Sequence, residues 1–124
     1  MNKTNASKKM EQIIYHKDSC ITCKKSISEI QRMNIDIQKR DFFKEPFSKT
    51  ELKKIIKMSG MKPTELIRKR DKRYKELEFG KKKYSDDQII KLMVKYPGLI
   101  MRPIIITKNR AFVGKTSVEN LKDN

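Results

Sequence analysis

Ile13-Ile14-Tyr15-His16-Lys17-Asp18-Ser19-Cys20-Ile21-Thr22-Cys23-Lys24-Lys25 is the stretch that decides the fold. A short apolar run leads into a polar turn, and a helical pattern begins directly behind that turn. The turn carries a Cys-x-x-Cys motif formed by Cys20 and Cys23, the only cysteines of the chain. The only histidine, His16, lies four residues before the first cysteine. The two thiols are therefore expected where a strand gives way to a helix.

The position of Cys20 predicts a reactive thiol. A helix beginning near Cys20 presents backbone N–H groups that have no carbonyl partner and that carry partial positive charge. A thiolate is stabilised there, so the pKa of such a cysteine falls and the cysteine becomes a nucleophile. Cys23, three residues later, falls on the same helical face and could close a disulfide onto Cys20. A strand, turn and helix with this motif at the turn is typical of a thioredoxin-like redox site.

Two other interpretations of the cysteines are open. A structural zinc site takes four ligands, and Cys20, Cys23 and His16 are the only soft ligands available, so we predict no metal. Two inert buried cysteines are the second alternative, since free cysteine is often part of a core. The polar neighbours Lys17, Asp18 and Ser19 argue against burial. His16 alone is more often a structural residue than a catalyst.

Composition and charge bound the class of protein. The length of 124 residues fits one domain, predicted over residues 11–124, with residues 1–10 as a disordered basic tail. No apolar run approaches a membrane span, and the N-terminus has no signal-peptide core, so we expect no membrane and a cytoplasmic location. In that reducing compartment a cysteine pair is more often catalytic or sensing than structural.

The net charge of +16 predicts a surface that draws anions, such as oxyanion substrates, acidic proteins or nucleic acid. The plainer interpretation is lysine spread over solvated helix faces. No aromatic RNA-binding signature and no Cys/His finger accompanies the charge, so specific nucleic-acid binding is not favoured.

The periodicity predicts an α/β fold. Residues 12–16 and 35–38 are predicted as strands on either side of a helix that buries Cys23, Ile27, Ile30 and Asn34. This is a βαβ unit with parallel strands. A helical insertion follows at about residues 46–97, with capping boxes opening at Ser48 and Ser85 and a helix stop at Gly60.

The last third returns to strands. Residues 104–106 and 111–113 are predicted as antiparallel strands joined by a turn at Asn109-Arg110, and residues 117–121 as a short closing helix. The Arg102–Pro103 bond directly before the first of these strands is predicted to be cis and to pack against the Cys20 loop.

Four ordered segments resemble the arsenate reductase / Spx (ArsC-like) family. They begin at Tyr15-His16, Arg40-Asp41, Pro97-Gly98 and Val113-Gly114, and they include the Cys-x-x-Cys and Met101-Arg102-Pro103-Ile104. The resemblance covers roughly residues 12–121. It implies a thioredoxin-like fold, a small mixed sheet with a helical insertion between a βαβ and a ββα half, and a cis-proline at Pro103.

The resemblance implies site residues for an arsenate reductase. The nucleophile would be Cys20, and the oxyanion would be held by Arg68, Arg102 and a third cation at Lys115. Arg forks at a helix N-terminus suit such an anion. Arg68 and Arg102 also have a plainer interpretation as solvated or structural charges. We count His16 among the candidate substrate-binding residues, and Cys20 and Cys23 as catalytic.

The same resemblance implies a second function. Arsenate reductases of this type usually carry Ser in place of Cys23, and Lys115 is a point charge rather than a planar fork. The Cys-x-x-Cys instead resembles Spx, a regulator that binds RNA polymerase and is switched by its disulfide. We expect a monomeric thiol–disulfide oxidoreductase with an oxyanion or disulfide substrate, no bound cofactor, and thioredoxin, glutaredoxin or glutathione as external reductant. The alternative is a redox-sensing regulator with RNA polymerase as partner.

Overall fold

The chain divides into two compact units. A computed structural model describes residues 12–121, and the predicted tail at residues 1–10 lies outside them. The first, the sheet unit, runs through residue 41 and resumes at residue 102; the second, the helical unit, comprises residues 42–101. The helical unit is the segment that interrupts the sheet in sequence, a few residues longer at each end than the predicted insertion.

The described residues form four strands and five α-helices. The strands are β1 (Ile13–His16), β2 (Gln38–Asp41), β3 (Ile104–Thr107) and β4 (Arg110–Val113). The helices are α1 (Ile21–Arg32), α2 (Lys49–Ser59), α3 (Pro63–Leu66), α4 (Lys72–Glu76) and α5 (Asp86–Lys95). Two 3₁₀ helices add Pro97–Leu99 and Ser117–Leu121. Within residues 12–121, none of the helices has the length and apolar character needed to cross a bilayer.

The sheet is mixed, with strand order β2-β1-β3-β4. β1 pairs in parallel with β2 and antiparallel with β3, and β3 pairs antiparallel with β4. The predicted α/β class, with a βαβ half and a ββα half, is confirmed. Antiparallel pairing of β1 with β3 puts the end of β1 beside the start of β3, since Tyr15 lies opposite Ile104. The Arg102–Pro103 bond that leads into β3 is cis.

The second strand lies three residues later than predicted. α1 ends at Arg32, and Asn34 takes a left-handed φ of 61°, so Asn34 is exposed rather than on the buried stripe. Ile35 and Ile37 then pack against the core of the sheet unit from the connecting segment. Their alternation reflects packing, whereas pairing with β1 is made by the polar strand β2.

The hairpin turn lies one residue earlier than predicted. Lys108 and Asn109 have φ values of 56° and 60°, and Arg110 is already paired with Thr107. Two consecutive positive φ values are what a tight two-residue hairpin turn requires.

The core of the sheet unit holds α1 and the C-terminal 3₁₀ helix against the strands. Its buried members are Ile14, Ile30, Ile105, Val118 and Leu121. The strand β3 is buried along its whole length, as the apolar run at residues 104–106 predicted. Because Ile14 in β1 and Ile30 in α1 share this core, the turn that joins the two elements is held at both ends.

The start of α2, the end of α2 and the start of α5 lie at the predicted signals. Ser48 and Ser85 each form a capping box, with Glu51 and Gln88 respectively. Gly60 ends α2 in the left-handed conformation, with φ 71°. Leu52, Ile55 and Ile56 are the buried residues of α2, and Ile89, Ile90 and Met93 are those of α5.

Replacing Gly60 by Ala should lower the free energy of unfolding by about 1 kcal/mol, because an L-residue is disfavoured at positive φ. A Cβ at Gly60 would meet no atom within 4 Å, so the cost is conformational and not steric. Urea unfolding followed by circular dichroism measures it. Gly80→Ala is the matched control, since its Cβ would meet only Tyr74 Oη at 3.9 Å and Gly80 has no positive φ. Equal destabilisation by both variants would contradict the assignment.

Candidate active site

The Cys20 sulfur caps the N-terminus of α1. Cys20 is the N-cap residue, with extended backbone angles of φ −82° and ψ 121°. Its Sγ accepts a hydrogen bond from the Cys23 N–H at 3.3 Å, and its carbonyl accepts one from the Lys24 N–H at 2.9 Å. The first turn of α1 contains no acidic residue. An anion on the Cys20 sulfur is therefore favoured by a backbone donor and by the helix dipole.

The turn before Cys20 is tied down at two points. The Cys20 N–H donates to the Lys17 carbonyl at 3.0 Å, which closes the turn between β1 and α1. The Asp18 N–H donates to Asp41 Oδ2, also at 3.0 Å, which joins the turn to the end of β2. Cys20 is thus positioned by β1, β2 and α1 and not by an unconstrained loop.

Arg102 is brought to the same thiol by the sheet. It lies two residues before β3, and the start of β3 is beside the end of β1. Hydrogen bonding and the positive charge of the Arg102 guanidinium both act to lower the pKa of Cys20. Arg102 therefore adds a fixed positive charge and a planar donor set to the helix N-terminus.

The two thiols have opposite protonation preferences. Burial works against ionisation of Cys20, but hydrogen bonds from the Cys23 thiol, the Cys23 amide and Arg102 outweigh it, so the pKa of Cys20 is lowered. Burial raises the pKa of Cys23 to about 12, and the nearby Cys20 sulfur adds to that rise. Cys20 is therefore the thiol of the pair that ionises more readily, and Cys23 is the one that stays protonated to higher pH.

The two thiols also differ in access to solvent. Cys20 is half-buried and Cys23 is fully buried, and both are free in this structure. Ile21, the residue after Cys20, is a large apolar side chain with 70% of its area exposed. A reagent or partner from solvent can therefore reach Cys20 before Cys23, and the apolar side chain of Ile21 lies next to Cys20 in the sequence.

The remaining predicted site residues lie in different places. His16 is buried at the end of β1, and its Nδ1 is 3.5 Å from Asp18 Oδ1. Lys115 is exposed in the turn after β4. Arg68 belongs to the helical unit, where its N–H donates to the Leu99 carbonyl at 2.7 Å. Substrate binding by Arg68, Lys115 and His16 stays a prediction, whereas Cys20, Cys23 and Arg102 are brought together.

Two aspartates near His16 were not among the predicted site residues. Asp18 and Asp41 lie close to His16, and Asp41 faces His16 in the register of β1 and β2. The pairing of His16 with Asp41 was not predicted because β2 was placed three residues too early, which left Asp41 beyond the end of the strand. The correct register would have placed His16 and Asp41 side by side.

Comparisons with known proteins point to one protein family. Residues 15–122 match the model of the ArsC family. The chain is 34% identical over 101 residues to the global transcriptional regulator Spx of Listeria innocua, covering 82% of this chain and 77% of that protein. It is 35% identical over 94 residues to an arsenate reductase of Escherichia coli, covering 76% of this chain and 67% of that protein.

A solved structure extends the likeness to the fold. The arsenate reductase from Vibrio cholerae has a TM-score of 0.83 and 27% sequence identity, and the match covers 92% of this chain and 98% of that one. The resemblance drawn from the four sequence segments is thereby confirmed, and with it the thioredoxin-like fold class.

Iodoacetamide should modify Cys20 at about pH 6 and leave Cys23 unmodified, because only the thiolate reacts. The alkylation rate should rise with pH through the lowered pKa of Cys20. Arg102→Ala removes a hydrogen bond and a positive charge from the thiolate, so the midpoint of the profile should move to higher pH. Peptide mass spectrometry over a pH series measures both effects.

The control for this experiment is Arg110→Ala, which removes an exposed arginine of β4 in the same unit. Its profile should match that of the wild type. Rapid alkylation of Cys23, or identical profiles for Arg102→Ala and the wild type, would show that the assignment of the two thiols is wrong.

Proposed function

This chain belongs to the ArsC family, and we propose that it is a thiol–disulfide oxidoreductase in which Cys20 is the nucleophile and Cys23 the resolving thiol. The observation that carries the proposal is the pair of cysteines at the start of α1, where the Cys23 N–H donates to Cys20 Sγ at 3.3 Å. The pKa of Cys20 is lowered and that of Cys23 is raised to about 12. A reactive thiolate beside a protonated reserve thiol is the arrangement that two-step thiol exchange requires.

The first step with a disulfide substrate is attack by the Cys20 thiolate. A bond forms between Cys20 Sγ and one substrate sulfur, the substrate S–S bond breaks, and the other sulfur leaves as a thiolate. Cys20 then no longer carries negative charge. The contribution of that charge to the raised pKa of Cys23 is lost in the adduct, which makes Cys23 easier to deprotonate.

The second step releases the product. Deprotonated Cys23 attacks Cys20 Sγ, the bond between Cys20 and the substrate breaks, and the second product thiol leaves. Two cysteine thiols have then been oxidised to one disulfide, and one substrate disulfide has been reduced to two thiols. Cys20 and Cys23 lie one helical turn apart, which suits ring closure without unfolding of α1.

Arsenate is the first oxyanion to test. Cys20 would attack arsenic(V) with loss of water, and attack of Cys23 on Cys20 would release arsenic(III) and leave the internal disulfide. The electron count balances, since two thiols supply the two electrons that reduce arsenic. Arg102 is already at Cys20 and suits an anionic ligand by its charge and planar donors. Arg68, Lys115 and His16 are the further candidates for holding that anion.

An external thiol is needed to restore the pair. Thioredoxin, glutaredoxin or glutathione would attack the Cys20–Cys23 disulfide and return both thiols to the reduced form. The exposed side chain of Ile21 offers an apolar contact beside the reacting sulfur for such a partner. We assign this chemistry to a monomer in the reducing cytoplasm.

A second candidate function is a redox-sensing transcriptional regulator that binds RNA polymerase. It is favoured by the 34% identity to the Listeria innocua Spx protein and by the presence of a second cysteine at Cys23. In this case the internal disulfide changes a protein-binding surface and no substrate is turned over. The two functions share the chemistry of the sulfurs and differ in the partner.

Cys23→Ser should trap the adduct on Cys20. With oxidised glutathione, the wild type should release both thiols and form an internal disulfide, because Cys23 attacks the adduct. The serine variant should keep one glutathione on Cys20, and Cys20→Ser should keep none. Intact-protein mass spectrometry separates these three outcomes. Release of both thiols by Cys23→Ser would exclude the resolving role.

Arsenate turnover separates the enzyme from the regulator. Wild-type protein with a thioredoxin regenerating system should consume NADPH in an arsenate-dependent manner. Arg102→Ala should lower kcat/KM by about 100-fold, the cost of removing one donor to a developing anion. Arg110→Ala should behave as the wild type. Absence of arsenate turnover, together with RNA polymerase capture by the oxidised chain alone, would favour the regulator instead.

A further inference from the structure

His16, Asp18 and Asp41 form a cluster at the end of the sheet that takes no part in the thiol–disulfide exchange between Cys20 and Cys23. One potential ligand atom from each residue lies within 4.8 Å of the other two. We propose that these three side chains bind a divalent transition-metal ion of the Zn²⁺ class. The site is distinct from the cysteine pair, and it differs from the sulfur-based zinc site weighed in the sequence analysis.

The backbone builds this cluster. His16 ends β1 and Asp41 ends β2, and the parallel register places the two residues side by side. Asp18 follows two residues after His16 in the turn, and its N–H donates to Asp41 Oδ2 at 3.0 Å. That hydrogen bond orients the Asp41 carboxylate in the way that outer-shell donors orient metal-binding carboxylates.

The imidazole of His16 supplies the second, independent observation. The residue is 93% buried, since its relative exposure is 7%, and its Nδ1 has no hydrogen-bond partner. Buried polar nitrogens are nearly always satisfied, so one that is not needs an explanation. Nδ1 faces the Asp18 carboxylate, with Oδ1 at 3.5 Å. A metal ion held between them would use the nitrogen lone pair.

The distance suits a small metal ion. Two ligands each about 2.0–2.1 Å from a tetrahedral Zn²⁺ are roughly 3.3 Å apart. The separation of His16 Nδ1 from Asp18 Oδ1 is close to this value. The third ligand, from Asp41, is within 4.8 Å of the others, so a modest side-chain rotation completes the set.

The donor set selects the class of ion. One imidazole nitrogen and two carboxylate oxygens suit Zn²⁺, Co²⁺ and Ni²⁺, whereas Mg²⁺ and Ca²⁺ prefer all-oxygen ligands. Three protein ligands leave at least one position for water, as in exchangeable sites. A cavity of about 340 Å³ lined by His16 and Asp18 gives access from solvent. Lys17 and Lys24 also line it, so we expect weaker binding than in a four-ligand structural site.

A bound ion would stiffen the turn before the nucleophile. His16 and Asp18 flank Lys17, whose carbonyl accepts the Cys20 N–H. Coordination by both flanking side chains restricts that turn. Because the three ligands are brought together only in the folded protein, metal binding should also raise the thermal midpoint of unfolding.

The test uses the untagged full chain with Cys20→Ser and Cys23→Ser, so that sulfur ligands cannot contribute. After chelator treatment, calorimetric titration with ZnCl₂ should show one site. Co²⁺ should give a visible d–d spectrum without sulfur charge transfer. His16→Gln and Asp41→Asn should each weaken Zn²⁺ binding at least tenfold. Asp36→Asn, an exposed aspartate in the same unit, should leave it unchanged.

A second measurement leaves His16, Asp18 and Asp41 unchanged, so its result does not depend on whether the ligand variants fold. The chain has a single histidine, so the imidazole resonances in the NMR spectrum report on His16 alone. Stoichiometric Zn²⁺ should shift them and Mg²⁺ should not. No calorimetric binding, unshifted imidazole resonances, or equal affinity in the Asp41→Asn and Asp36→Asn variants would overturn the proposal. Because the cysteines are absent, the result is independent of the proposed redox function.

Discussion

At the start of α1, the Cys20 sulfur takes the place of the side-chain oxygen that usually caps a helix. The chemistry proposed for the sheet unit depends on this sulfur cap. The Cys23 N–H that points at Cys20 Sγ would otherwise lack a partner, as first-turn amides do. A thiolate accepts such a hydrogen bond better than a thiol does, so the start of the helix favours the ionised form. Local structure and acidity are therefore linked, because the hydrogen bond that caps the helix also contributes to the lowered pKa of Cys20.

In the proposed exchange the two cysteines have different roles. The lowered pKa of Cys20 favours its attack on the substrate, and burial together with the Cys20 charge favours protonated Cys23 until the adduct forms. The proposed order of the two steps then follows from electrostatics and requires no conformational change. The same proposed order suits both a catalyst that is reset after each turnover and a switch that stays oxidised, and the relatives of this chain include an arsenate reductase and Spx regulators.

Local signals made much of the fold predictable. Two helices begin at capping boxes that can be recognised within four residues of sequence, Ser48 with Glu51 and Ser85 with Gln88. Cys20 likewise lies at the start of α1. β2 was misplaced because the alternation of Ile35 and Ile37 is the same for a paired strand and for a segment that fills a core. The proximity of Arg102 to Cys20 could not be predicted from their spacing in the sequence, because it depends on the pairing register of β3 with β1.

The polar character of β2 has a consequence for how copies of the chain meet. This strand is at one margin of the sheet, and its outer backbone groups could in principle pair with a strand from another molecule. It carries Lys39 and Arg40, so two such margins brought together would set cation against cation. Positive charge on this edge strand therefore disfavours pairing between two copies of β2.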